Sequence, residues 1–255
     1  MSFGAVADRY DHERAGYPGR LLDDVTAHAG LRPGDVMVEI GAGTGIATRG
    51  FMARGLAVHV VEPSREMADV LLARAERIAG AIRPTVEVVG FESWRPRRRY
   101  QLLAAAQSWH WIDPAVRYRR AREALVGGGT IALLGHRLAV ADPALRRQVD
   151  AVRAAHAPAG QERAPYHSTL PYHPELATEL ATAAPFRDVE HRTYRFSERY
   201  EPARLHRLLT TMSDHIVLPA PTRALVEDEL RALLSAAGET ITVDYRTDLY
   251  LARAA

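Results

Sequence analysis

The chain of 255 residues contains no cysteine, no lysine and no asparagine. The absence of cysteine excludes disulfide bonds and thiolate nucleophiles. The absence of lysine excludes a P-loop, whose signature ends in Gly-Lys-Ser/Thr. No run of eighteen consecutive apolar residues occurs, and the first residues form no hydrophobic signal core. We therefore expect a cytoplasmic protein that does not span a membrane.

The 33 strongly basic residues are all arginines, and the formal net charge is +2. Two arginine clusters, within residues 95–99 and 117–122, could contact phosphates. No RNA-binding element with interleaved aromatic residues accompanies them, so a solvated arginine face is the favoured interpretation. Nucleic acid is therefore not the expected partner. The oligomeric state is not predicted.

The hydrophobic pattern predicts an α/β fold with a doubly wound, mostly parallel sheet of seven strands. Since 47% of the residues are apolar, one domain spanning residues 1–255 can bury a full core. The predicted strands lie near residues 35–40, 57–62, 85–90, 100–107, 130–135, 189–196 and 241–251. The predicted helices lie near residues 44–54, 64–79, 113–125, 201–213 and 221–236.

Residues 139–185 interrupt this alternation. Asp142 could cap a helix that runs through His156, and a loop rich in proline and histidine follows over residues 158–174. Open α/β sheets bind ligands at the carboxyl edge of their strands. We therefore expect residues 139–185 to form a cap insertion over that edge.

The most informative segment is residues 36–45, VMVEIGAGTG. Its first half has the β-branched, apolar character of a central parallel strand. Its glycines allow positive φ angles and let a ligand approach the backbone, and Thr44 could cap the helix that follows. The dinucleotide fingerprint is not matched, because its third glycine would stand where this chain has Ile46. A turn that holds a nucleoside remains.

Glu62 supports a nucleoside site. It stands about twenty residues after the glycine turn, at the end of the second predicted strand. A carboxylate at this place can accept hydrogen bonds from both hydroxyls of a ribose. A solvated carboxylate at a strand end is the alternative interpretation.

Several motifs along the chain resemble those of class I S-adenosylmethionine-dependent methyltransferases. The bacterial small-molecule branch often labelled methyltransferase type 11 is the most similar, and the similarity covers nearly the whole chain. Within residues 125–129, Val126 and Gly127 replace the residue–proline pair usual in that branch. The matching segments are residues 10–18 (YDHERAGYP), 39–45 (EIGAGTG), 62–64 (EPS), 107–111 (QSWHW), 125–129 (LVGGG), 210–213 (TTMS) and 245–250 (YRTDLY).

The resemblance implies S-adenosylmethionine as cofactor and assigns the residues that hold it. Glu62 would bind the ribose, Met67 would pack on the adenine, and Arg14 would bind the carboxylate of the methionyl group through charge-assisted hydrogen bonds. Residues 1–34 would form a helical lid. The implied cofactor-binding residues are Tyr10, Arg14, Glu39, Gly41, Ala42, Gly43, Glu62, Pro63, Met67, Phe91, Glu92 and Gln107.

Methyl transfer from a sulfonium is an in-line displacement, and a general base helps when the acceptor is a hydroxyl or a carbon acid. Two histidines are candidates for this base. His110 follows the fourth predicted strand, although its tryptophan neighbours also suggest a structural role, and His136 follows the fifth. His167, His173 and His215 are expected to be structural or exposed, and the spacing of the histidines matches no compact metal site.

The remaining absences narrow the acceptor. Cytosine C5 methylation and the lysine-dependent kind of ribose methylation are excluded, because the chain has neither cysteine nor lysine. A small organic acceptor, methylated at oxygen or carbon, is therefore favoured. The alternatives are an RNA methyltransferase and a cofactor-binding protein that transfers no methyl group. Aromatic residues expected around the pocket favour a planar or apolar acceptor, and they are Tyr10, Tyr17, Trp109, Trp111, Tyr166 and Tyr172.

Overall fold

The computed structural model of the protein describes residues 12–157, 172–183 and 185–255, apart from the side chain of Ser213. The chain divides into two compact units. The larger unit comprises residues 16–136, 172–194 and 247–255, and the smaller unit takes residues 1–15, 137–171 and 195–246. The predicted single domain, N-terminal lid and cap insertion stay predictions. The residues predicted for the cap are divided between the two units, and residues 158–171 lie outside the described ranges.

Seven strands form one sheet in the order β3-β2-β1-β4-β5-β7-β6. The first five strands are parallel where they pair. Strand β7 is antiparallel to β5, because the Ala141 amide donates to the Thr242 carbonyl while His136, earlier in the chain, bonds to Thr247, later in the chain. The strands are β1 Val36–Ile40, β2 Ala57–Val61, β3 Thr85–Glu87, β4 Tyr100–Ala106, β5 Leu125–Val140, β6 Phe186–Tyr200 and β7 Ile241–Ala254.

Helices connect most of the strands, and a short 3₁₀ turn over Trp109–Trp111 follows β4. Asp142 caps α5 as predicted, since its Oδ1 accepts a hydrogen bond of 2.7 Å from the Leu145 amide. None of the helices in the described ranges is long and apolar enough to cross a membrane. The helices are α1 Gly19–Ala29, α2 Ile46–Met52, α3 Arg65–Ala75, α4 Arg117–Ala124, α5 Pro143–Ala155, α6 Glu175–Thr182, α7 Pro202–Thr210, α8 Ser213–Ile216 and α9 Ala220–Ala236.

The sheet of the larger unit is covered on both faces. In β1, Val38 and Ile40 belong to one buried cluster, whereas Met37 belongs to another. Successive side chains of a strand point to opposite faces, so both faces of β1 are buried. The smaller unit has its own cluster, which includes Leu205 of α7 and Leu230 of α9. The predicted fold class, a doubly wound α/β sheet, is confirmed.

The largest difference from the predicted strands concerns β5, which begins at Leu125 rather than near residue 130. Residues 125–129, which precede the predicted strand, form its first part instead. A register shift separates the pairing of Tyr100 with Leu125 from that of Leu102 with Thr130. A Cβ at Gly129 would lie 3.1 Å from the carbonyl oxygen of Tyr100. The glycine therefore lets the two backbones approach closely at this irregularity.

Candidate functional site

The turn after β1, residues 41–45, is called the glycine turn. Gly41, Gly43 and Gly45 have positive φ angles of 63°, 57° and 81°, which only glycine adopts readily. A Cβ at Gly41 would lie 2.5 Å from the Cβ of Ser108, and one at Gly45 would lie 2.6 Å from Leu71 Cγ. A Cβ at Gly43 would meet nothing within 4 Å. Gly43 therefore borders open space, whereas the other two glycines pack against protein.

The predicted helix cap at Thr44 is wrong. Gly45 precedes α2 in a left-handed conformation, and no side-chain hydrogen bond caps the helix. Thr44 is buried, and its hydroxyl has no hydrogen-bond partner in the described part of the chain. The left-handed backbone of Gly45 places the helix start one residue later than the threonine requires.

Glu62 is held against the glycine turn by backbone amides. Its Oε2 accepts a hydrogen bond of 2.8 Å from the Gly43 amide, and its Oε1 accepts one of 2.9 Å from the Ser64 amide. The side chain is buried, and burial raises the pKa of its carboxyl, while the two amide hydrogen bonds oppose the rise. Each carboxylate oxygen can accept a second hydrogen bond. The geometry therefore orients an acid that could accept from two hydroxyls.

Glu39, near the end of β1, is fully buried. Its Oε2 accepts a hydrogen bond of 2.7 Å from the Thr48 hydroxyl. Its Oε1 has no hydrogen-bond partner among the described residues. Burial raises the pKa of this carboxyl to about 8, so the side chain is mainly protonated at neutral pH. An unsatisfied carboxyl oxygen beside the glycine turn suits a ligand that donates hydrogen bonds.

The segment after β2 also provides residues predicted to contact the cofactor. Ser64 caps α3, because its hydroxyl oxygen accepts a hydrogen bond of 3.2 Å from the Met67 amide. Met67 is buried, whereas Pro63 is exposed. Ala42 lies in the glycine turn, where its carbonyl accepts a hydrogen bond of 2.9 Å from the Gly45 amide.

Phe91 and Glu92 have different surroundings. Phe91 is buried, and its ring centroid lies 6.1 Å from that of Trp94 and 6.0 Å from that of Trp109. Glu92 is exposed, and its Oε1 accepts a hydrogen bond of 3.2 Å from the Asp113 amide. Their predicted contact with the adenine stays a prediction.

The turn after β4, residues 108–111, is called the aromatic turn, and Gln107 leads into it. Gln107 has a φ of 55°, which is unusual for a residue with a side chain. Its amide donates a hydrogen bond of 2.8 Å to the Leu134 carbonyl. The Ser108 hydroxyl donates one of 2.6 Å to the Ile40 carbonyl, next to the glycine turn. The two turns are therefore in direct contact.

His110 stands in the aromatic turn and is half-buried. Its Nδ1 shares a hydrogen bond of 2.7 Å with the Tyr172 hydroxyl. Burial is the main cause that lowers the pKa of His110 to about 4, with smaller contributions from nearby His173 and Arg117. The imidazole is therefore neutral at neutral pH. Such a low pKa favours hydrogen bonding over strong proton uptake, since a good general base has a pKa near the working pH.

The surroundings of His110 fix its orientation. The His173 ring stacks on it, with centroids 4.7 Å apart and an interplanar angle of 19°. His173 has a left-handed φ of 44°, and its Nδ1 lies 2.6 Å from Glu175 Oε1. Buried Arg117 donates a hydrogen bond of 3.2 Å to the Trp109 carbonyl and pairs with Glu179. Trp109 is buried in the core and so does not line an open pocket.

His136 differs from its prediction, because it lies within β5 rather than after it. Its Nδ1 shares a hydrogen bond of 2.6 Å with the Thr247 hydroxyl of β7. Its ring stacks on that of Tyr17, with centroids 4.3 Å apart. The longer β5 explains the difference. Its role as a base stays a prediction.

Several predicted residues are not found at the glycine turn or the aromatic turn. Tyr10, Tyr166 and His167 lie outside the described residues. Arg14 belongs to the smaller unit, where its guanidinium donates a hydrogen bond of 3.2 Å to the Thr211 carbonyl. His215 lies in the same unit and contacts Glu227 at 3.1 Å. Over the described ranges, no group of three or more histidine, aspartate or glutamate side chains could hold a metal ion.

Sequence reasoning missed the residues that anchor Tyr172. The Tyr172 amide donates a hydrogen bond of 2.8 Å to Oδ2 of fully buried Asp248. Oδ1 of Asp248 accepts hydrogen bonds of 2.8 Å from His191 and Thr193. A Cβ at Gly135 would lie 2.1 Å from the Tyr172 ring. An acidic residue directly before the apolar run LYLA (residues 249–252) was the available signal for Asp248, since a buried carboxylate needs partners.

The strand order and the reversed last strand define the fold of class I methyltransferases. No family model matches the chain. An uncharacterised methyltransferase of Mycobacterium tuberculosis is 33% identical to it over 136 residues, which are 52% of this chain and 51% of that protein. A ribosomal RNA small subunit methyltransferase A of Anaeromyxobacter dehalogenans is 40% identical over 74 residues, 26% of each chain. The chain thus spans about half the length of the first of these relatives.

Solved structures have the same fold. A protein of Anaeromyxobacter dehalogenans, provisionally named a type II methyltransferase, matches with a TM-score of 0.64 and 23% identity, over 94% of this chain and 97% of that one. Phosphoethanolamine N-methyltransferase 2 of Haemonchus contortus, solved with S-adenosylhomocysteine, matches with a TM-score of 0.51 and 17% identity, over 97% of this chain and 60% of that one.

Proposed function

We propose that the chain is an S-adenosylmethionine-dependent methyltransferase that acts on a small organic acceptor, at oxygen or carbon. The fold, the motifs resembling the type 11 branch and the methyltransferase relatives all support this proposal. The observation that carries it is the pairing of Glu62 with the Gly43 amide at 2.8 Å, beside the open space at Gly43.

The residues present fit the proposed cofactor. Glu62 would accept hydrogen bonds from the two ribose hydroxyls, and Gly43 leaves room for the ligand to approach the backbone. The unsatisfied Oε1 of Glu39 would accept from a donor on the ligand. When bound, S-adenosylmethionine supplies an activated methyl group on a sulfonium. The other cofactor-binding residues that the resemblance implies are proposed to contact the same cofactor.

His110 is the better-placed of the two candidate bases, because the aromatic turn touches the glycine turn through Ser108. Its bond to Tyr172 orients the ring, so that the opposite nitrogen, Nε2, would meet the acceptor. His136 is engaged by Thr247 and Tyr17 within the sheet. We therefore assign His110 to acceptor positioning and keep His136 as the second candidate.

An RNA acceptor is the second candidate function, favoured by the partial match to a ribosomal RNA methyltransferase. The arginines of α4 argue against it, because they are engaged locally. Arg117 is buried against Glu179, and Arg119 and Arg120 contact Glu123 at 2.7 Å and 3.3 Å. Transfer of labelled methyl groups into RNA, sensitive to salt, would support the RNA acceptor. Transfer into small-molecule extracts alone would support the proposed function.

Calorimetric titration with S-adenosylhomocysteine tests the cofactor site. Glu62→Ala should weaken binding by about 1–3 kcal/mol, the scale of losing hydrogen bonds to a buried charged group. Glu62→Gln keeps one acceptor and should lose less. Glu76→Gln changes an exposed carboxylate directly after α3 and should bind like the unaltered protein. Equal affinity for all four proteins, or no binding to any, would reject the ribose role of Glu62.

A further inference from the structure

One tryptophan of the larger unit is exposed. Trp111 is 62% exposed, whereas Trp94 and Trp109 are 2% and 1% exposed. Single exposed apolar side chains are common on protein surfaces, but Trp111 differs from them because its ring adjoins a cluster of other rings. Trp111 ends the aromatic turn, directly after His110. Its position therefore calls for a functional account.

Trp111 is part of a cluster of rings around His110. The ring centroids of Trp111 and His110 lie 4.8 Å apart, and those of His110 and His173 lie 4.7 Å apart. Tyr172 meets the His173 ring edge-on at 4.5 Å. The bond of Tyr172 to His110 and the contact of His173 with Glu175 hold these rings in place. These contacts therefore orient the His110 ring on the side away from Trp111.

His110 brings a polar atom to this cluster. Its Nδ1 bonds to Tyr172, and its Nε2 has no hydrogen-bond partner in the described part of the chain. Nε2 is not fully buried either, since it is not among the unsatisfied buried atoms of those residues. The nitrogen can therefore bond to a ligand at the edge of the exposed tryptophan.

The cluster is also tied to the proposed cofactor site. Ser108, two residues before His110, donates a hydrogen bond of 2.6 Å to the Ile40 carbonyl. Gly41 packs so closely on Ser108 that a Cβ there would lie 2.5 Å from the serine Cβ. A ligand bound at His110 would therefore lie near the glycine turn.

We propose that Trp111 and His110 form the acceptor site and that they bind a planar aromatic ring carrying a hydroxyl group, a phenol in the broad sense. The inference rests on the proposed function and names its substrate class. The ring of the phenol would stack on the exposed surface of Trp111, and its hydroxyl would bond to His110 Nε2. A saturated or strongly charged acceptor has no comparable partner in this cluster.

Two physical arguments favour this class. Aromatic rings prefer offset or edge-to-face contacts with other aromatic rings, which adds to the gain from burying apolar area. A hydroxyl group both donates and accepts, so it matches Nε2 in either neutral tautomer of His110. A methyl acceptor oxygen would thereby lie beside the turn that contacts Gly41.

Binding can be measured without any methyl transfer. 2-Naphthol and decahydro-2-naphthol share a carbon skeleton and a hydroxyl, but only the former is planar and aromatic. The three tryptophans give three indole N–H resonances, and Trp111→Phe identifies the one from Trp111. Each alcohol is titrated into the full chain, with and without saturating S-adenosylhomocysteine, and followed by these resonances and by calorimetry.

The proposal expects 2-naphthol to shift the Trp111 resonance and to bind about tenfold more tightly than the saturated alcohol. Trp111→Ala should weaken 2-naphthol binding about tenfold, while Trp111→Phe, which keeps a flat ring, should stay within about threefold. His110→Leu should weaken it by about tenfold as well, since the hydroxyl loses its partner. Circular dichroism of each variant checks that it folds.

Equal binding of the two alcohols, an unmoved Trp111 resonance, or full affinity in folded Trp111→Ala would overturn the acceptor site. Binding of S-adenosylhomocysteine is scored separately in the same samples. If the nucleoside binds and 2-naphthol does not, the acceptor site fails while the proposed function stands. If 2-naphthol binds at Trp111 and the nucleoside does not, the proposed function fails and the aromatic site stands alone.

Discussion

The glycine turn and the aromatic turn touch each other, yet they are built by different means. The glycine turn is made of backbone. Its Gly43 amide donates a hydrogen bond to Glu62, and its glycines adopt φ angles of 57–81° that side chains would oppose. The aromatic turn is made of side chains, since His110 is held by Tyr172, His173 and, through the Trp109 carbonyl, by Arg117.

Burial has opposite effects on the pKa values of two groups at these turns, Glu39 shortly before the glycine turn and His110 within the aromatic turn. Burial raises the pKa of Glu39 to about 8 and lowers that of His110 to about 4. Both groups are therefore uncharged near neutral pH, although one is an acid and the other a base. A desolvated site can thus stay neutral while keeping atoms that accept or donate hydrogen bonds.

The largest expected effect concerns Glu39. The unfolded chain loses the Glu39 proton near pH 4.5 and the folded chain near pH 8, so the free energy of unfolding falls as pH rises through this window. Glu39→Gln removes the titration. Its free energy of unfolding relative to the unaltered protein should therefore rise with pH, by up to about 4 kcal/mol between pH 4 and 9.

Urea unfolding at several pH values measures this trend. Glu76→Gln, which replaces an exposed carboxylate, serves as the control. A difference between Glu39→Gln and the unaltered protein that stays constant with pH would show that Glu39 does not keep its proton in the fold. Glu39 would then be charged at neutral pH, unlike His110.

Alanine substitutions at Gly41 and Gly43 distinguish the effect of packing from the effect of ligand access. Gly41→Ala combines a positive φ with a Cβ 2.5 Å from Ser108 and should cost about 2–4 kcal/mol of stability. Gly43→Ala has the same backbone strain but open space, and should cost only about 1–2 kcal/mol. It should nevertheless lose S-adenosylhomocysteine binding, because its methyl group occupies the ligand's place.

Urea unfolding and calorimetry on the same samples test both halves of this prediction. The result expected is a strongly destabilised Gly41→Ala and a nearly stable Gly43→Ala that no longer binds. Equal destabilisation of the two variants would mean that the close packing of Gly41 on Ser108 does not limit stability. Unchanged nucleoside affinity in Gly43→Ala would mean that the space beside Gly43 is not the ligand site.

The smallest expected effect on stability comes from a substitution in β5 that displaces Tyr172, a partner of the aromatic turn. Gly135→Ala places a Cβ 2.1 Å from the Tyr172 ring and should cost about 1–3 kcal/mol, since the ring must move away. Gly127→Ala on the same strand meets nothing within 4 Å and should change stability by less than about 0.5 kcal/mol. Moving Tyr172 should also change the imidazole resonances of His110.

Urea unfolding and histidine NMR spectra check the pair. If Gly135→Ala is as stable as Gly127→Ala and leaves the His110 resonances unchanged, Tyr172 does not position His110. The aromatic turn would then depend on Arg117 and His173 alone.

The parts of the fold with local causes were predictable. Alternating apolar runs and the glycine motif gave the parallel strands and the place of Glu62, because these features repeat over a few residues. The start of β5 was not predictable, since its glycines lie in a strand with a register shift rather than in a turn. The cap at Thr44 failed because one left-handed glycine moved the helix start.

The aromatic turn was predicted only in part. His110 was a candidate because it follows a strand, but its partner Tyr172 is 62 residues away. No local pattern indicates that Gly135 must be small to receive that ring, or that Asp248 holds the Tyr172 amide. Contacts of this kind depend on tertiary packing, which periodicity does not encode.

The hydrogen bond between Tyr172 and Asp248 joins residues 76 apart, whereas Gly43 and Glu62 are 19 apart and Glu39 and Thr48 only 9. Closing a long loop costs more conformational entropy than closing a short one. We therefore expect the contacts between residues close in sequence to form first. On the ribosome, Glu62 can bond to the glycine turn early, whereas Tyr172 can bond to Asp248 only after β7 has been synthesised. Translation would thus complete the proposed cofactor site before the proposed acceptor site.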